Sequence, residues 1–557
     1  MRLALLASLA LCFYAAAPAQ SWPQTKAEKT AYRETSSHQE VLAFIEELQR
    51  LSAPFRMEFI GISEEGRKIP MVIVSDSPVA GPADARRSGK AIVYIQANIH
   101  GGEVEGKEAS LQLMREFALM LDAYRNPHLT PTPELFRLRR ILDECVLLFV
   151  PIYNADGNDN FGDGMRNRGS QDGPEIVGTR PNGQGFDLNR DCIKADSHEM
   201  RAVLNRIYTT WDPDVVMDLH TTNGTRHGYQ LTYAPPMSPI TETGILKYSR
   251  EELLPRLRSG MRSEHGFELF DYGNATRRGE TRRWETFGVE GRYVSTYVGL
   301  RNRIGILSEA TSYLAFKDRV AVTHAFVLSI LIEVARDKER IIELTRGADE
   351  RVVQMGIDAK YGKSVELGVR FEMKSRGIED VLLEVAQPVE PVARNKAPKE
   401  IEKVQLEVFD RFIESRTAKF PGGYLFSAEH KDVAELLIRH GIVVERLLAN
   451  ATVTADYFMV TESIQGQQPF QGRRLIRLEG EHTSRPLEAS SGWFYVDTAQ
   501  PLGILAFYLL EPEGLDGAIA WGFFGLPEAG KAAPVFKVFS PMKVPREQTT
   551  SLQEIQR

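Results

Sequence analysis

The sequence predicts an α/β fold followed by a smaller β-rich region, and three observations carry that expectation. Residues 56–309 alternate short apolar runs with longer amphipathic segments, the pattern of a sheet covered by helices. Past Gly347 the texture becomes half-buried strand, with Val365, Leu367, Val369, Phe371 and Met373 interleaved by Glu366, Gly368, Arg370 and Glu372. The length of 557 residues exceeds the roughly 250–300 at which a single hydrophobic core stops growing. Residues 1–19 are therefore read as a leader, 20–346 as the α/β domain and 347–557 as the β-rich domain.

Composition narrows the partners. With 43% hydrophobic and 26% charged residues the chain is ordinary globular protein, and a net charge of −7 offers no electrostatic footprint for nucleic acid. At the start, Arg2, an apolar run over residues 3–17 and the small-residue pattern Ala17-Pro18-Ala19 predict a cleavable signal peptide and a secreted or periplasmic protein. That run is too short to cross a bilayer, as is the stretch 320–332, which Thr323, His324 and Ser329 interrupt. No membrane span is expected. Export would permit one disulfide between Cys145 and Cys192, but Cys145 opens an apolar run and is read as a buried small hydrophobe, so the bridge is not favoured.

Taken in order, residues 91–99 and 146–152 are strands, and between them Leu111, Met114, Ala118 and Leu121 fall at helical spacing. Asp196 and Glu199 have the spacing of a capping box ahead of a helix whose buried stripe is Met200, Val203, Leu204 and Ile207. Residues 317–344 read as one long helix or two consecutive ones. In the β-rich region, strands are expected at 404–409, 475–478, 493–496 and 504–510, with one helix at 429–440 that Gly441 stops.

The chemistry sits at strand ends. Strand 91–99 runs into His100-Gly101-Gly102-Glu103, placing an imidazole and a carboxylate in one tight turn, a pair able to chelate one metal ion while leaving a third ligand to come from elsewhere. The run 215–220 ends in His220 and the run 304–309 ends in Glu309, while Asp187-Leu188-Asn189-Arg190 lies between. In an open α/β sheet such strand ends converge on one crevice. A second His-x-x-Glu, His265 to Glu268, lacks the preceding strand and paired glycines and is read as surface. His227 is read as a solvent-exposed loop histidine.

His100 and Glu103, then Thr179-Arg180-Pro181-Asn182 leading into Asp187-Leu188-Asn189-Arg190, then His220, then Glu309, follow an order that resembles the zinc carboxypeptidase family over roughly residues 56–335, in a bacterial secreted form with a C-terminal extension. The resemblance implies an α/β sandwich with a mixed, mostly parallel eight-stranded sheet. It implies one Zn2+ held by His100, Glu103 and His220, with Glu309 as general base and Asp187 accepting the other ring proton of His100. Asn189 and Arg190 correspond to the pair that holds the free C-terminal carboxylate of a peptide substrate. Arg180 is the favoured donor to the attacked carbonyl, with Arg166 and Arg168 as rivals after the Asn154-Ala155-Asp156-Gly157 turn. The family's mobile tyrosine corresponds to Tyr293 or Tyr297, and the spacing leaves the choice open. The same zinc site would also serve a murein-peptide amidase or a deacylase, and a non-catalytic peptide-binding relative is the third alternative.

Overall fold

A computed structural model describes residues 22–51, 55–125, 132–222, 224–386 and 393–549, so the expected leader lies outside the described residues. The strands that build the α/β layer are β1 (Arg56–Ile62), β2 (Lys68–Val74), β3 (Ala91–Ala97), β4 (Cys145–Val150), β5 (Val215–Thr222), β6 (Leu231–Ala234) and β7 (Leu269–Asp271). The hairpin β8 (Asn274–Arg278) and β9 (Thr281–Glu285) follows, then β10 (Ile304–Thr311). The central sheet is eight-stranded, in the order β1-β2-β4-β3-β5-β10-β6-β7. Pairs β4/β3, β3/β5, β5/β10 and β6/β7 are parallel and the other three are antiparallel, so the sheet is mixed and mostly parallel, as expected.

Every residue of β3, β4 and β5 is buried, which explains why these strands read as continuous apolar runs and not as alternations. Alternate side chains enter different cores. Ala91, Val93, Ile95, Leu147, Phe149, Val215 and Met217 pack under helices Glu105–Arg125, Pro133–Glu144 and Phe316–Arg336. Ile92, Tyr94, Val146, Leu148 and Val216 face the opposite way, into a cluster that runs on without a break through Val369, Tyr424, Leu437, Phe507 and Trp521 of the β-rich region.

Two helices, Phe316–Arg336 and Lys338–Ala359, meet at Asp337, which accepts hydrogen bonds from Tyr248 at 2.9 Å and from Arg256. The expected boundary near Gly347 falls inside the second of them. Beyond come β11 (Glu366–Glu384), β12 (Ile401–Lys419), β13 (Gly423–Phe426), helix Lys431–Arg439, β14 (Val444–Leu447), β15 (Ala451–Gln465), β16 (Ile476–Ala489), β17 (Phe494–Asp497), β18 (Ala532–Val538) and β19 (Arg546–Thr549). Seven of these form the sheet β16-β15-β18-β13-β17-β14-β19, whereas β11 and β12 join the β8–β9 hairpin of the α/β layer in a four-stranded sheet.

Three local expectations need correction. Residues 503–510 are a helix, Gly503–Leu510, and not a strand; all but Tyr508 are buried, so apolar side chains are needed on every side and the period disappears from the sequence. The helix at 198 is capped by Ser197, whose side chain accepts Met200 N–H at 3.0 Å, while Asp196 pairs instead with Arg473. His227 is buried among the rings of Tyr229, Trp284 and Tyr313, and burial pushes its imidazole down to about 4. Cys145 and Cys192 are both buried and unbridged.

Candidate metal centre and substrate cleft

The first two donors come from the turn after β3. Asn98, at φ 63°, breaks the strand, and its side-chain amide donates to the carbonyls of His100, Gly101 and Glu103 at 3.0–3.3 Å. Glycine is required at 101, because a Cβ there would lie 2.1 Å from the backbone of Gly157 in the neighbouring turn. The turn thereby folds His100 Nδ1 to within 2.9 Å of a Glu103 carboxylate oxygen.

The third donor arrives by register. In β5, His220 Nδ1 lies 3.1 Å from Glu103 Oε2 and 3.3 Å from His100 Nδ1. Both rings are oriented from behind: His100 Nε2 meets Asp187 Oδ1 at 3.0 Å, and His220 Nε2 meets Asp218 Oδ2 at 2.6 Å. Each carboxylate accepts the Nε2 proton, which fixes the tautomer and leaves two Nδ1 lone pairs and a carboxylate facing one another. Three such donors without a proton between them repel, and a cation is the group that relieves this. Among the described residues His100, Glu103 and His220 hold their donor atoms within 4.8 Å of one another, so the set fits zinc.

Charge follows the same logic. Burial alone would raise Glu103, but His100 and Arg168 hold it well below the usual carboxylate range; Arg168 reaches it at 2.9 Å and also donates to Thr221 O. Burial would likewise raise Asp187, yet its bonds to His100 and Arg180 hold it low. Burial would lower His220, but Asp218 and Glu103 together raise it well above 6.5, so a metal ion would displace a proton from its Nδ1. Glu309, the register partner of His220 on β10, is half-buried, and its desolvation pushes it up to about 8.

These groups open into a cavity of about 240 Å³ lined by His100, Glu103, His220 and Glu309 together with Arg180, Asn189, Arg190, Tyr272, Phe287, Tyr293 and Leu307. Asn189 Oδ1 accepts Val294 N–H at 3.1 Å, and the Arg190 guanidinium lies 4.6 Å over the Tyr293 ring. Arg180 lines the cavity, whereas Arg168 is buried against Glu103 and Arg166 is exposed elsewhere. Tyr293, ahead of helix Val294–Leu300, faces the cavity; Tyr297, one turn later, is fully buried and bonds His440. His265 is exposed and separate from this site.

Asp218 is absent from the site residues expected above, yet the sequence carries its signal: two residues before His220 on the same strand, it must share that residue's face. A second donor group, His482, Glu511 and Glu513, gathers in the β-rich region. There Lys537 contacts both Glu511 oxygens at 3.0 and 3.1 Å and Arg416 pairs with Glu513, so the chain neutralises its own carboxylates.

Two imidazoles and a carboxylate converge beside a glutamate at the strand ends of a mixed α/β sheet and open to a cavity, an arrangement suited to a zinc metallopeptidase. Residues 41–223 match the model of the zinc carboxypeptidase family, Peptidase_M14, and so cover both histidines and Glu103. Carboxypeptidase 2 of Trichophyton tonsurans is 22% identical over 504 residues, spanning 86% of this chain and 81% of its own. Carboxypeptidase 2 of Trichophyton rubrum gives the same identity and coverage. Among solved structures, the metallo-carboxypeptidase from Burkholderia cenocepacia aligns at a TM-score of 0.39 and 18% identity, covering 55% of this chain and 70% of that one. The metallo-carboxypeptidase from Pseudomonas aeruginosa, in complex with (2-guanidinoethylmercapto)succinic acid, aligns at 0.37 and 16%, covering 55% and 70%. The sequence matches support the zinc carboxypeptidase family for the α/β region. No helix among the described residues is long and apolar enough to cross a membrane.

Proposed function

We propose that the protein removes C-terminal residues from peptides, using one zinc ion held by His100, Glu103 and His220. The observation that carries this reading is the composition of the cavity, whose lining includes the three donors, Glu309, Arg190 and Asn189. When bound, zinc supplies Lewis-acid polarisation of the scissile carbonyl and lowers the pKa of water towards ~7.

The chain's own groups do the rest. Glu309 takes a proton from the attacking water and returns it to the leaving amine. Arg190, steadied on the Tyr293 ring, presents a fork that pairs with the substrate's terminal carboxylate, beside Asn189. Arg180 carries the positive charge for the oxygen that becomes negative, and the cavity-facing Tyr293 is the tyrosine that closes on substrate. Asp187 and Asp218 keep both imidazoles in the donor tautomer. Arg2, the apolar run and Ala17-Pro18-Ala19 support export after loss of residues 1–19.

The test is turnover of a C-terminally diverse peptide set, each in free-acid and amidated form, with and without a chelator. Hydrolysis of the free acids alone, abolished by chelation and restored by zinc, is expected. Equal turnover of the amides, or turnover preferring D-configured or diamino-acid linkages, would overturn the exopeptidase assignment in favour of an amidase.

A further inference from the structure

Asp187 stands behind His100 with both carboxylate oxygens engaged, so its own position decides where the imidazole points. Its carboxylate accepts His100 Nε2–H and Asn189 N–H on one oxygen, each at 3.0 Å, and Arg180 on the other. Its backbone N–H donates out of the α/β region altogether, to the side-chain Oε1 of Gln471 at 2.8 Å.

Gln471 sits at the tip of the loop joining β15 and β16, and that tip is built as a rigid probe. Phe470 and Arg473 exchange backbone hydrogen bonds at 2.7 and 3.1 Å, with Gln471 and Gly472 between them at φ 50° and 83°. A Cβ on Gly472 would come 3.1 Å from the Phe186 ring, so the tip lies directly against the segment that carries Asp187. On one side Arg473 grips Asp196 with two bonds at 2.7 and 2.8 Å and lies 4.0 Å over Phe523. On the other, Phe470 stacks on Trp521 and lies under Arg292, which pairs with Asp516 at 2.8 Å. The residue at the apex of this clamp spends its amide oxygen on one backbone proton beside the metal centre.

We propose that Gln471 is a positioning residue of the metal centre: by holding the Asp187 backbone it fixes the carboxylate that orients His100, so the β-rich region completes the zinc site. The inference rests on the reading of His100, Glu103 and His220 as the zinc ligands. Outer-shell partners of metal-bound histidines alter metal affinity by roughly 10–100-fold, and a partner one bond further out belongs at the lower end.

The test uses the full chain. Gln471→Gly removes the acceptor while suiting the positive φ, so the backbone is not strained by the change; Gln471→Glu keeps an acceptor oxygen at the same reach. Zinc affinity is read by competition with a chromophoric chelator, turnover as kcat and KM separately, and folding by thermal unfolding. The expected result is zinc binding about tenfold weaker and kcat lowered with KM unchanged in Gln471→Gly, an unfolding midpoint like that of the wild type in the metal-free proteins, and recovery of zinc affinity in Gln471→Glu. Wild-type zinc affinity in Gln471→Gly, or a loss matched by a fall in the metal-free midpoint and not recovered by Gln471→Glu, would overturn the assignment. If wild-type protein itself binds no zinc and His100→Ala changes nothing, the failure lies with the ligand assignment instead.

Discussion

At the scale of single residues, the site is a set of lone pairs arranged by carboxylates behind them. Glu309→Gln keeps size and hydrogen bonding but loses the base, so zinc stoichiometry should be unchanged while kcat falls by roughly 10²–10⁴; elemental analysis beside steady-state kinetics checks both, and retained turnover would remove Glu309 from its role. Asp218→Asn weakens the acceptor for His220 Nε2–H, and chelator competition should show zinc held about tenfold more weakly. Much of this was legible in sequence. His100, His220 and Glu309 each end an apolar run, and strand ends on one edge of a sheet must meet. Asp218 was equally local, two positions from His220, but an acid inside an apolar strand draws attention only once its partners Gln96 and His220 are known. Tyr293 and Tyr297 could not be separated by spacing, because only the start of helix Val294–Leu300 between them turns one to the cavity and the other to His440.

At the scale of elements, the fully buried strands β3, β4 and β5 were legible as continuous apolar runs, whereas a helix was legible only where its accessible positions kept a period. The stripe Leu111, Met114, Ala118 and Leu121 marks helix Glu105–Arg125, but Gly503–Leu510 is enclosed in the shared core and its apolar residues carry no period. Helix Lys431–Arg439, ended by His440 and Gly441, docks on the α/β layer through that histidine: Nε2–H donates to Ile193 O at 3.0 Å, and Nδ1 accepts the Tyr297 hydroxyl at 2.7 Å. Both nitrogens are committed to the neutral form, and burial pushes the ring down to about 3. The unfolded chain takes up this proton near pH 6.5 and the native one does not, so stability rises with pH across the window between the two values and is lost on acidification. At about 1.4 kcal/mol per pH unit, His440 alone costs about 2 kcal/mol between neutral pH and pH 5. In denaturant unfolding at pH 7 and pH 5, His440→Gln should lose less stability on acidification than wild type by about that amount. An identical pH dependence in the two proteins would mean that the imidazole titrates normally in the fold.

At the scale of the whole molecule, the division between an α/β region and a β-rich region is clear in composition, but the physical seam is not a surface. Residue alternation along β3, β4 and β5 sends half their side chains into a cluster that continues into the β-rich region, and no local pattern in the sequence says which face has a distant partner. The helix Lys338–Ala359 carries the chain across without interruption, β9 pairs in parallel with β12, and Arg303 bridges Asp212 and Asp349 at 2.7–2.9 Å. A chain ended at residue 364 would therefore remove His440 from Tyr297 and Ile193, remove Asp516 from Arg292, leave β9 without its β12 neighbour and strip the acceptor from Asp187 N–H. The apolar cluster shared by the two regions would be cut through, and apolar surface opened in that way favours aggregation over an independently stable fold. Residues 20–364 expressed alone should accumulate as insoluble protein or as a form that binds a hydrophobic dye and melts without a cooperative transition. The full chain should unfold in one transition by calorimetry, with both regions protected together from limited proteolysis. A monomeric, cooperatively folded 20–364 fragment that cleaves peptides at the rate of the full chain would show the α/β region to be self-sufficient, and the second region would then have to be explained by a partner or substrate.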